Sequence, residues 1–161
     1  MRLARVWRSR VVAAAALFAF AAARSSEASE AERRGAPMRG EGFVVVVNEQ
    51  NTVGTVPRAL VSRLFLKKVS RWDGGAAVLP VDLPADSPVR EAFTRRVLEK
   101  SVGSVRAYWQ QQIFSGREVP PPEKPGDDAV LDFVQANPAA IAYVSPLAPI
   151  PRGVRVLGVA D

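Results

Sequence analysis

The chain predicts an α/β domain, a small and mainly parallel sheet flanked by helices, on three observations. Short β-branched runs alternate along it with segments of helical period, the order expected when helices connect neighbouring strands. The first run, Phe43–Val47 (FVVVV), shows no polar alternation, which fits a strand covered on both faces. In VLPVDLPADSPVREAF, residues 78–93, an apolar run ends in a polar loop, and Ser87-Pro88 then opens a patterned segment. Ser is a preferred N-cap, and Pro suits the first helical position because its missing N–H has no intrahelical partner there.

The remaining elements follow in order. Pro57 opens a helix whose Leu60, Val61, Leu64 and Phe65 share one face. Trp72-Asp73-Gly74-Gly75 reads as a turn, and residues 76–81 as the second strand. Residues 88–100 form the next helix, with Val89, Ala92, Phe93 and Val97 inward, and residues 102–114 another, with Val102, Val105, Trp109 and Ile113 at helical spacing. The proline-rich 119–125 excludes a helix and predicts an extended connector. Asp127-Asp128 places acids at the positive end of a helix that runs to Ala136 and stops at Asn137-Pro138. Residues 140–144 and 154–159 are expected as two further strands.

The N-terminus reads as an export signal. Arg2, Arg5, Arg8 and Arg10 precede an apolar run from Val11 to Ala23 that ends in small residues. That run is shorter than the roughly 20 residues of a membrane span, so residues 1–23 are expected to be a cleavable signal peptide and the protein periplasmic. Residues 24–42, without apolar periodicity, are expected to be a flexible tether, and residues 43–161 the folded domain. Four of the 22 basic residues lie before residue 24 and none of the 16 acidic ones does, so the remaining chain is close to neutral at +2 instead of +6. No single-sign field is then left to attract a polyanion, which argues against nucleic acid as a partner.

Candidate chemistry is sparse. There is no cysteine and no histidine, which removes the disulfide staple, the commonest metal ligand and the commonest general base. No glycine-rich phosphate loop or nucleophile-elbow motif is present. The expectation is a protein that is not an enzyme and needs no metal or cofactor. Asp82 and Asp86 are expected to be solvated loop acids. The basic set Arg58, Arg63, Lys67, Lys68 and Arg71 is expected to be the solvated face of the first helix, and Trp72, Tyr108, Trp109 and Phe114 are expected in the core. What remains is the helix start at Ser87. Its hydroxyl, the N–H groups of Val89 and Arg90, and the Arg90 guanidinium form a candidate site for a small oxyanion. Asp82 and Asp86 oppose an anion there, and Pro88 deletes one donor.

Four segments in order carry a family resemblance: Phe43–Asn48 (FVVVVN), Leu64-Phe65-Leu66 with Trp72-Asp73-Gly74, Asp86-Ser87 through Phe93, and Ala139–Val144 (AAIAYV). Together they resemble one lobe of the phosphate-type periplasmic substrate-binding proteins of ABC transporters, a type II binding-protein fold. The resemblance implies a non-catalytic lobe that binds phosphate or another small oxyanion through Ser87, Val89 and Arg90. It further implies an ABC permease or another envelope protein as partner; the signal, for its part, leads to the expectation of membrane contact only during export. In that family a Ser-Gly-Thr loop follows an arginine; here Pro88 and Val89 stand where Gly and Thr are expected, and Asp82 and Leu83 where the arginine is. The resemblance therefore implies a weak or altered anion site. A second reading keeps the lobe fold but assigns it to protein contacts, through the basic face at 58–71 or the proline-rich 119–125 segment.

Overall fold

A computed structural model describes residues 42–161; the expected signal peptide, and all of the expected tether but Gly42, lie outside the described residues. The described elements run β1 (Val44–Asn48), β2 (Val56–Pro57), α1 (Arg58–Phe65), β3 (Leu79–Pro80), α2 (Pro88–Arg96), α3 (Val102–Phe114), α4 (Asp127–Ala136), β4 (Ala140–Val144), β5 (Val154–Val156) and β6 (Val159–Ala160). The α/β class stands, a small sheet with helices packed against it.

The main sheet has the order β3-β4-β1-β5. β3 pairs parallel to β4, whereas β1 is antiparallel to both β4 and β5. Three strands thus point one way and β1, at the centre, runs against them, so the central ladders are antiparallel where a mainly parallel sheet was expected. An all-apolar run records burial on both faces, and both β1 and β4 are buried at every position, but such a run carries no mark of direction. β3 is much shorter than the expected 76–81 strand and lies at the sheet edge, where Pro80 costs no ladder bond; Leu79 and Val81 donate to Ala139 and Ile141 on the inner side. The expected strand 154–159 divides. Leu157 donates to Val45 at 2.9 Å, and at Gly158 the chain leaves the main sheet to pair with β2 as β6. Gly158 leaves room for Thr55 there: a Cβ would lie 2.5 Å from the Thr55 hydroxyl oxygen, so any larger residue would have to displace that side chain.

Side-chain caps fix the helix ends that matter for the sheet. Ser87 caps α2 and Ser101 caps α3, each accepting from the N–H three residues on. α2 stops at Arg96, short of the expected residue 100, and Glu99 takes a left-handed conformation at φ 53°. At the other end of the domain, Asn48 is 3 % exposed and donates from Nδ2 to the carbonyls of Val134 and Gln135 at 2.9 and 2.8 Å. One strand-end amide thereby satisfies the last carbonyls of α4 and ties that helix to β1. Val130, Leu131 and Val134 of α4 are buried in the apolar core that includes β1 and β4.

The four segments of the family resemblance meet at one point. Phe43, Phe65, Phe93 and Tyr143 come one from each segment and form a single aromatic cluster, every ring 3 % exposed or less. Phe93 stacks on Tyr143 at 3.8 Å between ring centres, and Phe43 meets Phe93 edge-on at 5.3 Å.

Candidate functional site

The loop after β3 turns back on itself before α2 begins: the Ser87 N–H donates to the Pro84 carbonyl at 3.0 Å. Ser87 Oγ then accepts from the Arg90 N–H, a long bond at 3.4 Å. Pro88 has no N–H and that of Arg90 is taken, which leaves the Val89 N–H as the donor still open in this first turn. Ser87 lines an open cleft of about 640 Å³ between the starts of α2 and α3, together with Asp86, Glu91, Arg95, Lys100 and Ser101. Its charges are mixed, and Arg95 is already paired with Glu91.

Arg90 points elsewhere. It is 7 % exposed, and its guanidinium turns back beneath the loop. Nη2 lies 3.0 Å from Asp82 Oδ2, and Nη1 donates to the Leu83 carbonyl at 2.5 Å and to Glu123. The remaining Asp82 oxygen accepts from the Leu83 N–H at 3.0 Å and from the Tyr143 hydroxyl. The expectation that Asp82 is a solvated loop acid is therefore corrected: it is 8 % exposed and sits at the centre of a hydrogen-bonded chain from Tyr143 through Asp82 to Arg90 and Glu123. Asp86 is exposed, as expected. The proline-rich segment also belongs to this assembly. Asp82 donates its N–H to Pro122 and accepts from the Lys124 N–H, so the connector runs beside the post-β3 segment and delivers Glu123 to Arg90.

The electrostatics follow from burial and pairing. Burial pushes the Asp82 carboxyl above the ordinary carboxylate range, against the opposing pull of Arg90, the Tyr143 hydroxyl and the Leu83 N–H. Burial works against the charge of Arg90 too, but Asp82 and Glu123 outweigh it and the net direction is upward, so the guanidinium stays charged. Burial and the neighbouring Asp82 carboxylate hold Tyr143 in its neutral, donating form.

The three expected ligand residues are thus divided in space. Ser87 and the Val89 N–H belong to the helix start, whereas the Arg90 side chain is committed to two carboxylates and a carbonyl. Asp82, Tyr143 and Glu123 were absent from the expected site. For Asp82 and Arg90 the signal was there in the sequence, an acid and a base eight residues apart across a short loop, but nothing local says that such a pair is buried.

Other expectations sort similarly. The basic set is only partly a free solvated face: Arg58 pairs with Glu99 and Asp161, Lys67 with Glu118, and Arg71 donates to Gly75, while Arg63 and Lys68 are exposed. Trp72 and Trp109 are buried as expected, but Phe114 is 90 % exposed and Ile113 51 %, because α3 passes the edge of the core before its last turn. Among the described residues, no helix is long and apolar enough to cross a membrane.

No protein-family model matches the sequence, and no curated protein matches it. Solved structures do. A Clostridium perfringens protein assigned as a phosphate ABC transporter substrate-binding protein, solved with phosphate bound, superimposes with a TM-score of 0.58 at 19 % identity, over 77 % of this chain and 47 % of its own. An ABC-type phosphate transport receptor from Vibrio cholerae gives 0.55 at 17 %, over 74 % of this chain and 47 % of its own. PstS from Borrelia burgdorferi gives 0.56 at 10 %, over 81 % and 53 %. These likenesses show the fold, that of a lobe of phosphate-binding protein structures, and the chain spans about half the length of each of these three structures.

Proposed function

We propose that this chain is an exported, non-catalytic binding lobe of the phosphate-type solute-binding class in which Asp82 already holds the guanidinium that an oxyanion would otherwise take. The observation that carries this reading is the buried Asp82–Arg90 pair directly beneath a capped helix start in a lobe of this fold. A phosphate or similar anion would meet the Ser87 hydroxyl and the Val89 N–H first. It would gain Arg90 only by displacing a carboxylate, which makes wild-type binding weak. A lone lobe also offers one wall of a cleft, where tight capture buries most of a ligand's surface. A permease or another envelope protein is then the partner that would complete the site.

The test is thermal unfolding of the full chain with phosphate or sulfate, because a ligand raises the melting temperature only of a state that binds it. The expected result is a small saturable rise for wild type and a larger one for Asp82→Asn, which frees the guanidinium without emptying the space. Ser87→Ala should remove both. A cooperative melt without any anion-dependent rise in Asp82→Asn would overturn the oxyanion reading. The same ion pair favours a second reading, an interaction module that kept the lobe and gave up its ligand, and that result would select it.

A further inference from the structure

Five large apolar side chains are exposed among the described residues, and three of them, Ile113, Phe114 and Val119, fall within seven residues at the end of α3. Phe114 is 90 % exposed, Val119 59 % and Ile113 51 %, and every residue from 113 to 120 is exposed. The segment is held in shape: Gly116 turns at φ 64°, and the Arg117 N–H donates to the Gln112 carbonyl at 3.1 Å. Ile113 and Val119 also line a shallow open depression of about 300 Å³ with Gly116, Arg117 and Glu118, while Phe114 stands beside it, almost fully exposed.

Cations accompany that segment. Arg117 lies within it, and Arg106 precedes Ile113 by seven residues on the same face of α3. The end of α1 is fastened alongside, because Tyr108 donates its hydroxyl to the Leu66 carbonyl at 2.9 Å and Lys67 lies 3.6 Å from Glu118. Exposed Lys68 follows directly. Lys67 is balanced by Glu118, which leaves Lys68, Arg106 and Arg117 as exposed cations on the two elements that flank the three apolar side chains.

We infer that this segment is a peripheral docking surface for an anionic lipid bilayer. A bilayer supplies both complements at once: headgroup charge for Lys67, Lys68, Arg106 and Arg117, and the headgroup–acyl boundary for Phe114, Ile113 and Val119. Three exposed apolar side chains within seven residues, with exposed Arg117 among them and exposed Lys68 beside Lys67, are the complement of an anionic interface. The contact differs from passage during export and uses neither Ser87 nor Arg90, so it stands or falls independently of the oxyanion reading.

The chain has no cysteine, so Ser115→Cys in the full chain carries one environment-sensitive dye within the segment. Because the dye is local, adsorption through residues 11–23 does not report there. With vesicles of phosphatidylcholine and phosphatidylglycerol the emission should shift to the blue, far more than with phosphatidylcholine alone, and added salt should reverse it. Phe114→Ser should abolish the shift with the far-ultraviolet circular dichroism unchanged. Lys68→Gln and Arg117→Gln should each lower partitioning by about fivefold. A shift that survives all three substitutions overturns the proposal. So does the absence of a shift on anionic vesicles, and if polyglutamate then produces one, the surface belongs to an acidic polypeptide instead.

Discussion

Tyr143 has its ring in one region of this molecule and its hydroxyl in another. The ring lies in the aromatic cluster with Phe43, Phe65 and Phe93, where contact is apolar and close. The hydroxyl donates to Asp82 and so joins the buried ionic chain that ends at Glu123. The two regions touch, yet they are held together by opposite kinds of contact. Each resembling segment contributes one ring to the cluster, so the resemblance is carried by packing. The ionic chain is instead held by specific partners, with Arg90 paired to Asp82 and Glu123. The first kind of contact tolerates changes that the second does not, because apolar packing is non-directional and ion pairing depends on which partner is present.

Breaking the apolar side should have the largest effect. Phe93 touches every other ring of the cluster, and Phe93→Ala should cost about 4 kcal/mol in denaturant unfolding through lost burial and the cavity left behind. A loss well below this would mean that the cluster collapses easily and is not the keystone described.

Breaking the polar side tests whether the ion pair stabilises or merely satisfies itself. Arg90→Met leaves Asp82 buried without its cation and should cost about 3 kcal/mol. Adding Asp82→Asn should restore most of that, since the charge that needed compensation is gone. If the double variant is no more stable than the single, Arg90 acts through packing and the ionic account fails.

The junction itself should respond least. Tyr143→Phe keeps the ring and removes one donor from Asp82, at a cost of about 1 kcal/mol. The pH dependence sharpens the same point. Burial raises the Asp82 carboxyl above its unfolded value, so the folded state takes up that proton more readily than the unfolded chain. The stability linked to this group is complete below the ordinary carboxylate value and is lost as pH rises through the raised one. Comparing wild type with Asp82→Asn by melting temperature from acid to neutral pH should show this slope in wild type alone.

How much could be read beforehand differs in the same way between the two regions. The starts of α2, α3 and α4 and the extents of β1 and β4 were legible, because caps, prolines and apolar runs act over a few residues. The burial of Phe43, Phe65 and Phe93 followed from the same periodicity. The exposure of Phe114 did not: helical spacing marks a face, but only the position of the core decides where along α3 that face stops being covered.

By itself, then, the amino-acid sequence determined the class of fold, the placement of most elements and the candidate helix start at Ser87, all consequences of local conformational preference and hydrophobic period. The tertiary structure alone decided that β1 runs against its neighbours, that residues 154–160 serve two sheets, and that Asp82 and Glu123 close on Arg90 from segments 41 residues apart. Strand direction and the partner of a buried charge are long-range matters. Each depends on which surfaces are brought together when the core forms, and no short stretch of chain carries that information.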